Sequence, residues 1–181
     1  MSELQKLYKE KVVKHLMSEL NQKNVMAVPK IKKVVINAGV GKTLKDPKYL
    51  DAIISEIKNI TGQQPVKTLA KKSIAGFKIR ENQVVGLMVT LRGRRMYDFL
   101  EKMIRVALPR VRDFRGLNPK SFDGRGNYSI GFKEQIVFPE TAPDSIDHVF
   151  GFEVNIQTSA GNDKAAYELL KALGMPFQKI N

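Results

Sequence analysis

The sequence predicts an α+β protein with an antiparallel (mixed) five-stranded sheet, helices packed on one face and a partly polar opposite face. Four segments carry apolar residues at three- and four-residue spacing, which is typical of amphipathic helices. Five other segments alternate apolar and polar residues, as strands with one buried face do. The segments follow the order α, β-α-β-β-α, β-β-α. One sheet covered by helices on one side accounts for that pattern.

The helices have recognisable start and stop signals. They are predicted over residues 3–20, between Asp46 and Gly62, from about Arg94 to Ala107 before Pro109, and from about Asn162 to Leu173. Ser2 is a candidate N-cap of the first helix, and the N-terminal helical segment is expected to reach residue 22. Asp46 and Pro47 suit the start of the second helix, and Gly62 its left-handed end.

The five strands are predicted over residues 31–38, 64–70, 84–92, 127–138 and 149–158. In the third strand Leu87, Val89 and Leu91 share one face. Met88, Thr90 and Arg92 lie on the other. Each strand therefore has one apolar and one more polar side, and we expect one side of the sheet to be open.

Composition predicts a polyanionic partner. The chain has 181 residues, which fits a single domain over 1–181, and a formal net charge of +13. So many positive charges repel one another in a compact fold unless a polyanion neutralises them. Nucleic acid is therefore the expected partner. Because the chain has no cysteine, thiolate metal sites, disulfides and cysteine nucleophiles are excluded.

No membrane partner is expected. No apolar run reaches the roughly 20 residues that span a bilayer, and the first residues lack the apolar region of a secretory signal. We expect the protein to stay in the cytoplasm.

A glycine–lysine loop is the most tempting enzymatic signal. Gly41, Lys42 and Thr43 follow a strand and precede a helix, but a P-loop needs a glycine five positions before Gly41, where this chain has Ile36. The helix also begins at Asp46 rather than at Lys42. This loop is better suited to contacting RNA backbone or to turning the chain, although a nucleoside triphosphatase is the enzymatic alternative.

Other catalytic signals are absent from the sequence pattern. Gly124-Arg125-Gly126 begins like a dinucleotide fingerprint, but Ser129 replaces the third glycine and a strand follows. The two histidines, His15 and His148, are far apart, so no triad or metal cluster is predicted. We expect no enzymatic activity, no metal and no cofactor.

Two long connections carry most of the basic signal. Residues 70–83 form a long basic hairpin loop between two strands, and residues 109–127 are rich in Arg, Gly and Pro. Lysines and arginines there would neutralise phosphates, and Phe77 could stack on a base or ribose. Uncharged polar side chains on the open face of the sheet would bind the 2′-hydroxyls and base edges of folded RNA.

Several long motifs resemble one family. They are Val34–Gly41, Thr61–Gln63, Lys71–Lys78, Val89–Gly93, Leu108–Leu117, Lys120–Ser129 and Lys133–Glu140. In this order they resemble the bacterial 5S-rRNA-binding protein of the large ribosomal subunit, the ribosomal protein L5 family, over essentially the whole chain. Tyr97 departs from the pattern, since many members carry Trp there.

The resemblance implies a structural component of the ribosome. Its expected partners are 5S rRNA, 23S rRNA, P-site tRNA, other proteins of the central protuberance and a protein of the small-subunit head. The implied rRNA contacts are Lys33, Asn37, Gln63, Thr90, Arg92 and Arg94. The implied tRNA contacts are Lys71, Lys72, Ser73, Phe77, Lys78 and Arg80. An intersubunit bridge is implied at Pro109, Arg110, Arg112 and Arg115, in a surface formed by 109–115 and 134–147.

From the residues alone, a free-standing regulator of DNA or messenger RNA is a second alternative, because any polyanion produces salt-dependent affinity.

Overall fold

A computed structural model describes residues 2–41, 47–141 and 149–178. The predicted cap Asp46, the residues Lys42 and Thr43, and His148 lie outside these ranges. The described chain divides into two compact units. The first contains 1–34, 91–130 and 155–181, and the second contains 35–90 and 131–154.

The strands form one five-stranded sheet in the order β2-β3-β1-β5-β4. Their bounds are β1 Ile31–Gly39, β2 Val66–Leu69, β3 Val84–Leu91, β4 Tyr128–Phe132 and β5 Phe152–Thr158. β2 pairs with β3 in antiparallel register, with Val66 opposite Met88 and Thr68 opposite Gly86, and the register shifts between Thr68 and Leu69. The α+β class and the five-stranded sheet are confirmed.

The helices are α1 Glu3–Leu7, α2 Val13–Glu19, α3 Pro47–Thr61, α4 Gly93–Lys102, α5 Leu108–Arg110 and α6 Asp163–Ala172. Ser2 caps α1 by accepting a hydrogen bond from the backbone N–H of Gln5 at 3.2 Å. Gly62 ends α3 with φ +68°, as the left-handed stop requires. A wider π-helical turn, Tyr8–Val12, joins α1 to α2, so the predicted first helix contains an irregular turn.

The predicted end of the third helix was wrong. A π-helical turn follows α4 at Met103–Ala107, and α5 continues the helical path through Pro109. Proline interrupts a helix because it lacks an N–H and its ring clashes with an earlier carbonyl. Here it occupies one of the first positions of α5, directly after the π-helical turn.

β2 is shorter than the predicted 64–70, and the last two strands are shorter than the alternation predicted for a reason that the structure shows. β4 ends at Phe132 instead of residue 138, because a 3-10 turn at Gln135–Val137 follows it. Gln135 is fully buried there, and its Oε1 accepts a hydrogen bond from the N–H of Phe150 at 2.9 Å. β5 accordingly begins at Phe152 rather than at 149. A buried polar side chain that bonds to the backbone is therefore found where the alternation predicted further strand pairing.

Each unit has its own apolar core. In the first unit α1, α2, α4 and α6 bury Leu4, Leu16, Phe99, Leu100 and Leu169. The second unit buries the isoleucine stripe of α3 together with a group of four phenylalanines, Phe132, Phe138, Phe150 and Phe152, whose ring centroids are 5.2–6.3 Å apart in the contacting pairs. Burial of large aromatic surface is the main favourable contribution to folding.

Candidate nucleic-acid interface

The open side of the sheet in the second unit carries Asn37 of β1 and Thr90 of β3. Asn37 is exposed and Thr90 is half-buried, whereas the alternating neighbours Ile36, Leu87 and Val89 are buried. The predicted division of these strands into an apolar and a more polar side is therefore present at these positions.

Gln63 lies next to Thr90, although it is outside the strands. It follows α3 in the turn that Gly62 opens, and its Nε2 donates a hydrogen bond to the carbonyl oxygen of Thr90 at 3.2 Å. The Thr61 hydroxyl donates to the carbonyl oxygen of Ile57 at 2.7 Å and accepts from the N–H of Gln63 at 3.2 Å. The structure thus brings two of the predicted rRNA contacts together and fixes the backbone beside them.

The other three predicted rRNA contacts, Lys33, Arg92 and Arg94, belong to the first unit. Lys33 is half-buried on β1, and Arg92 is exposed at the N-cap position of α4. Arg94 is exposed in the first turn of α4, where its Nε lies 3.5 Å from a carboxylate oxygen of Asp98. An exposed pair of this kind contributes little to stability, so Arg94 remains accessible to a phosphate.

All six predicted tRNA contacts, Lys71, Lys72, Ser73, Phe77, Lys78 and Arg80, are exposed in the connection between β2 and β3. The connection has internal order: Ile74 and Ile79 form an isolated antiparallel bridge, and Ser73 Oγ accepts from the N–H of Glu81 at 2.9 Å. Phe77 is 73 % exposed, so it does not fold back onto a core. Its ring is available for stacking.

The predicted bridge residues form a short exposed stretch in the first unit. Pro109 and Arg110 lie in α5, and Arg112 and Arg115 lie in the segment after it. The Arg112 side chain is 98 % exposed, and its Nε is 4.0 Å from the Asp113 carboxylate. In the companion stretch 134–147, residues 142–147 lie outside the described ranges.

The described residues include only the start of the glycine–lysine loop, because Lys42 and Thr43 lie outside them. The N–H of Val40 donates to the carbonyl oxygen of Val85 at 3.0 Å, so this amide is engaged in pairing with β3. His15 is exposed on α2. Within residues 2–41, 47–141 and 149–178, no group of three or more His, Asp or Glu side chains could hold a metal ion. In the same ranges no helix is long and apolar enough to cross a membrane.

Two residues of the open side escaped the sequence analysis, Thr68 and Gly86. They lie opposite each other on β2 and β3. A β-carbon at Gly86 would lie 2.6 Å from Oγ1 of Thr68, closer than real β-carbons approach an atom. An isolated glycine inside a strand pattern is the signal that could have pointed to them, because it marks a bulge or a close approach.

The loop Asp123–Asn127 also proved to be more ordered than its composition suggested. The Asp163 carboxylate accepts from the N–H groups of Gly124 at 3.2 Å and Gly126 at 3.0 Å. The Asp123 carboxylate accepts from the N–H groups of Arg125 at 2.8 Å and Asn127 at 3.0 Å. Two aspartates therefore satisfy four consecutive amides, and the apex side chain Arg125 is exposed.

The fold is α+β, and its sheet has an open polar side. Together with the exposed cationic segments and the strongly basic composition, it defines a nucleic-acid-binding protein. The family described as ribosomal protein L5 matches residues 24–80, and the companion family that describes the C-terminus of these ribosomal proteins matches residues 84–177. The chain belongs to the ribosomal protein L5 family.

Curated relatives cover nearly the whole chain. One from Halothermothrix orenii is 56% identical over 179 residues, covering 99% of this chain and 100% of the relative. Others are from Idiomarina loihiensis, 52% identical over 179 residues with 99% and 100% coverage, and Syntrophomonas wolfei, 53% identical over 178 residues with 98% and 100% coverage. Each is named large ribosomal subunit protein uL5. The predicted family is confirmed, and with it a structural ribosomal protein rather than an enzyme.

Proposed function

We propose that this chain binds 5S rRNA in the central protuberance of the large ribosomal subunit, using the open side of its sheet. As a member of its family, it is a structural constituent of the large subunit in the cytoplasmic ribosome. 23S rRNA and neighbouring proteins of the central protuberance are its further partners. The proposed rRNA contacts are Lys33, Asn37, Gln63, Thr90, Arg92 and Arg94.

The observation that carries the proposal is the grouping of uncharged polar side chains on the open side of the sheet in the second unit. Asn37 is exposed, and Gln63 is fixed against the carbonyl oxygen of Thr90 at 3.2 Å. Rigidly held amides and hydroxyls suit the 2′-hydroxyls and base edges of folded RNA. A duplex-DNA reader would instead place a helix or strand ribbon in the major groove.

The exposed connection between β2 and β3 is proposed to contact P-site tRNA. Its cations can neutralise phosphates, and Phe77, 73 % exposed, can stack on a nucleotide. The internal bridge from Ile74 to Ile79 supports the proposal, because it holds the two sides of this connection together.

Pro109, Arg110, Arg112 and Arg115 are proposed to form a bridge to a protein of the small-subunit head. Their exposure, including 98 % for the Arg112 side chain, supports a contact made only in the assembled ribosome. Arginine is suited to such a role, since its planar guanidinium pairs with carboxylates or phosphates through two hydrogen bonds.

Binding to 5S rRNA and to duplex DNA in competition tests the main proposal. We expect a bacterial 5S rRNA transcript to compete far better than duplex DNA of equal length at the same salt concentration. Asn37→Ala and Thr90→Ala should each weaken 5S rRNA binding by roughly 1–3 kcal/mol, the cost of leaving a buried partner unpaired, with unchanged thermal unfolding. Preference for the duplex would contradict the proposal, and so would a chain that fails to co-sediment with large subunits.

A further inference from the structure

Gly86 leaves an opening in the second unit between two polar side chains on the open side of the sheet. A β-carbon there would lie 2.6 Å from Oγ1 of Thr68, 3.2 Å from the carbonyl oxygen of Ala38 and 3.8 Å from Oδ1 of Asn37. Two side-chain oxygens, one from β2 and one from β1, are therefore within 4 Å of one point above β3.

The strand pattern places that point on the open side. Gly86 shares its side of β3 with Met88, which is exposed, and with Thr90, which is half-buried. The intervening Leu87 and Val89 are each 1% exposed and face the core. Thr68 is half-buried with its Oγ1 close to Gly86, and Asn37 is exposed.

Both polar groups are unused by the fold. Within residues 2–41, 47–141 and 149–178, neither the Thr68 hydroxyl nor the Asn37 side-chain amide has a hydrogen-bond partner. A threonine hydroxyl donates one hydrogen bond and accepts others, and an asparagine amide offers an acceptor and two donors. Together they can hold a single small group that both donates and accepts.

We propose that Thr68 and Asn37 together bind one ribose 2′-hydroxyl of the RNA, and that Gly86 is required because any side chain there would displace Thr68. The proposal rests on the proposed 5S rRNA binding and adds Thr68 and Gly86 to its site. A 2′-hydroxyl is both donor and acceptor, and its absence from DNA lets such a pair distinguish the two nucleic acids. A phosphate oxygen can only accept, so with the amide oriented as in this structure it would leave the Asn37 oxygen unpaired.

The decisive variant is Thr68→Val, which keeps the β-branched shape and removes only the hydroxyl. We expect the affinity for a bacterial 5S rRNA transcript to fall roughly three- to tenfold, the value of one hydrogen bond, with an unchanged melting temperature. Thr68→Ser keeps the hydroxyl and should bind with an affinity within about twofold of the wild type, a smaller change than the loss of one hydrogen bond produces. Gly86→Ala should weaken binding as well, and adding Thr68→Val to it should cost little more, because both act on the same hydroxyl.

A second measurement identifies the ligand atom. Pools of 5S rRNA carrying single 2′-deoxy substitutions should reveal a position at which the wild-type chain loses affinity. That interference should disappear with Thr68→Val and persist with Lys14→Gln, which changes an exposed lysine of α2 outside every proposed contact. Wild-type binding by Thr68→Val would overturn the inference. If Thr68→Ser weakened binding as much as Thr68→Val, the shape of the side chain rather than its hydroxyl would matter, and the inference would fail. It would also fail if Thr68→Val left the interference pattern unchanged.

The two proposals fail separately. If the wild-type chain shows no preference for 5S rRNA over duplex DNA, the proposed function fails. If Asn37→Ala and Thr90→Ala weaken binding while Thr68→Val does not, 5S rRNA binding stands and only the role of Thr68 is wrong.

Discussion

Gln63 donates a hydrogen bond from Nε2 to the carbonyl oxygen of Thr90 at 3.2 Å, which connects the turn after α3 to the end of β3. The Thr61 hydroxyl holds the backbone of Gln63 on the other side, accepting from its N–H at 3.2 Å. Gln63 is therefore positioned before any ligand arrives. A preorganised side chain loses less conformational entropy on binding.

We expect Gln63→Ala to weaken 5S rRNA binding by about 1 kcal/mol, the typical net value of one hydrogen bond. Stability should change by no more than a similar amount, because the Thr90 carbonyl is only partly buried and water can replace the donor. Filter binding and thermal unfolding of the same sample measure the two effects.

Gln64→Ala is the matched control, since Gln64 is the exposed next residue in the chain. It should leave both quantities unchanged. Equal effects of the two variants would mean that the hydrogen bond to Thr90 has no role in positioning Gln63.

The neighbourhood of Gln63 shows where the sequence was informative and where it was not. The stop at Gly62 and the polar side of β3 followed from local rules, since a left-handed glycine and a two-residue alternation are properties of the backbone. The hydrogen bond from Gln63 to Thr90 joins residues 27 positions apart and depends on packing. No local pattern encodes it.

The same distinction explains what the local patterns missed. Alternation continued past Phe132, but burial of Gln135 and its hydrogen bond to Phe150 ended β4 early. Likewise, the composition of 109–127 showed only a long basic connection, whereas Asp163, 39 residues after Gly124, orders its last part. In both cases a polar side chain distant in sequence determined the local backbone.

Neutralising the connection between β2 and β3 should separate two functions. With Lys71, Lys72, Lys78 and Arg80 all changed to Gln, we expect nearly normal 5S rRNA affinity but weaker tRNA retention in the ribosomal P site. Each phosphate that a cation no longer neutralises should lower the log–log salt slope of the tRNA interaction by about 1. Filter binding of 5S rRNA and dissociation of P-site tRNA from reconstituted ribosomes measure the two effects.

An equal loss of charge elsewhere provides the comparison. Lys9, Lys11, Lys14 and Lys23 are exposed in or near the N-terminal helices and can be changed to Gln together. This control should leave tRNA retention normal. If the connection variant instead abolished 5S rRNA binding and left tRNA retention normal, the assigned roles would be reversed.

Gly126 and Gly124 offer a matched pair for testing how tightly the Asp123–Asn127 loop is packed. Their φ angles are +82° and +80°, so alanine is strained to a similar degree at both. A β-carbon at Gly126 would lie 2.8 Å from the carbonyl oxygen of Asn162, whereas at Gly124 nothing lies within 4 Å. We expect Gly126→Ala to be less stable than Gly124→Ala by about 1–3 kcal/mol, the usual cost of overpacking.

Urea unfolding of both variants checks this difference, because the shared φ strain cancels in the comparison. Equal destabilisation would show that the loop can shift away from Asn162 at little cost. The close packing of Gly126 against Asn162 would then contribute little to stability.

The acid stability of the chain should depend on Asp123. Hydrogen bonds from the side chain and then the backbone of Asn127 lower the pKa of the Asp123 carboxyl below its ordinary value of 3.8. Because the folded-state pKa is lowered, the stabilisation is fully present at pH values above that ordinary pKa and is lost as pH falls through the folded-state pKa. Asp123→Asn cannot titrate, so the wild-type advantage in unfolding free energy over this variant should be constant near neutral pH and shrink below pH about 4.

Urea unfolding of both proteins at intervals from neutral pH into the acid range measures that difference. Asn127→Ala supplies the second arm, since it removes the principal donor and should flatten the acid dependence that Asp123 contributes. Parallel curves for the wild type and Asp123→Asn across the acid range would mean that Asp123 has the same pKa in the folded and unfolded chain. The hydrogen bonds from Asn127 would then contribute nothing to the stability of the charged carboxylate.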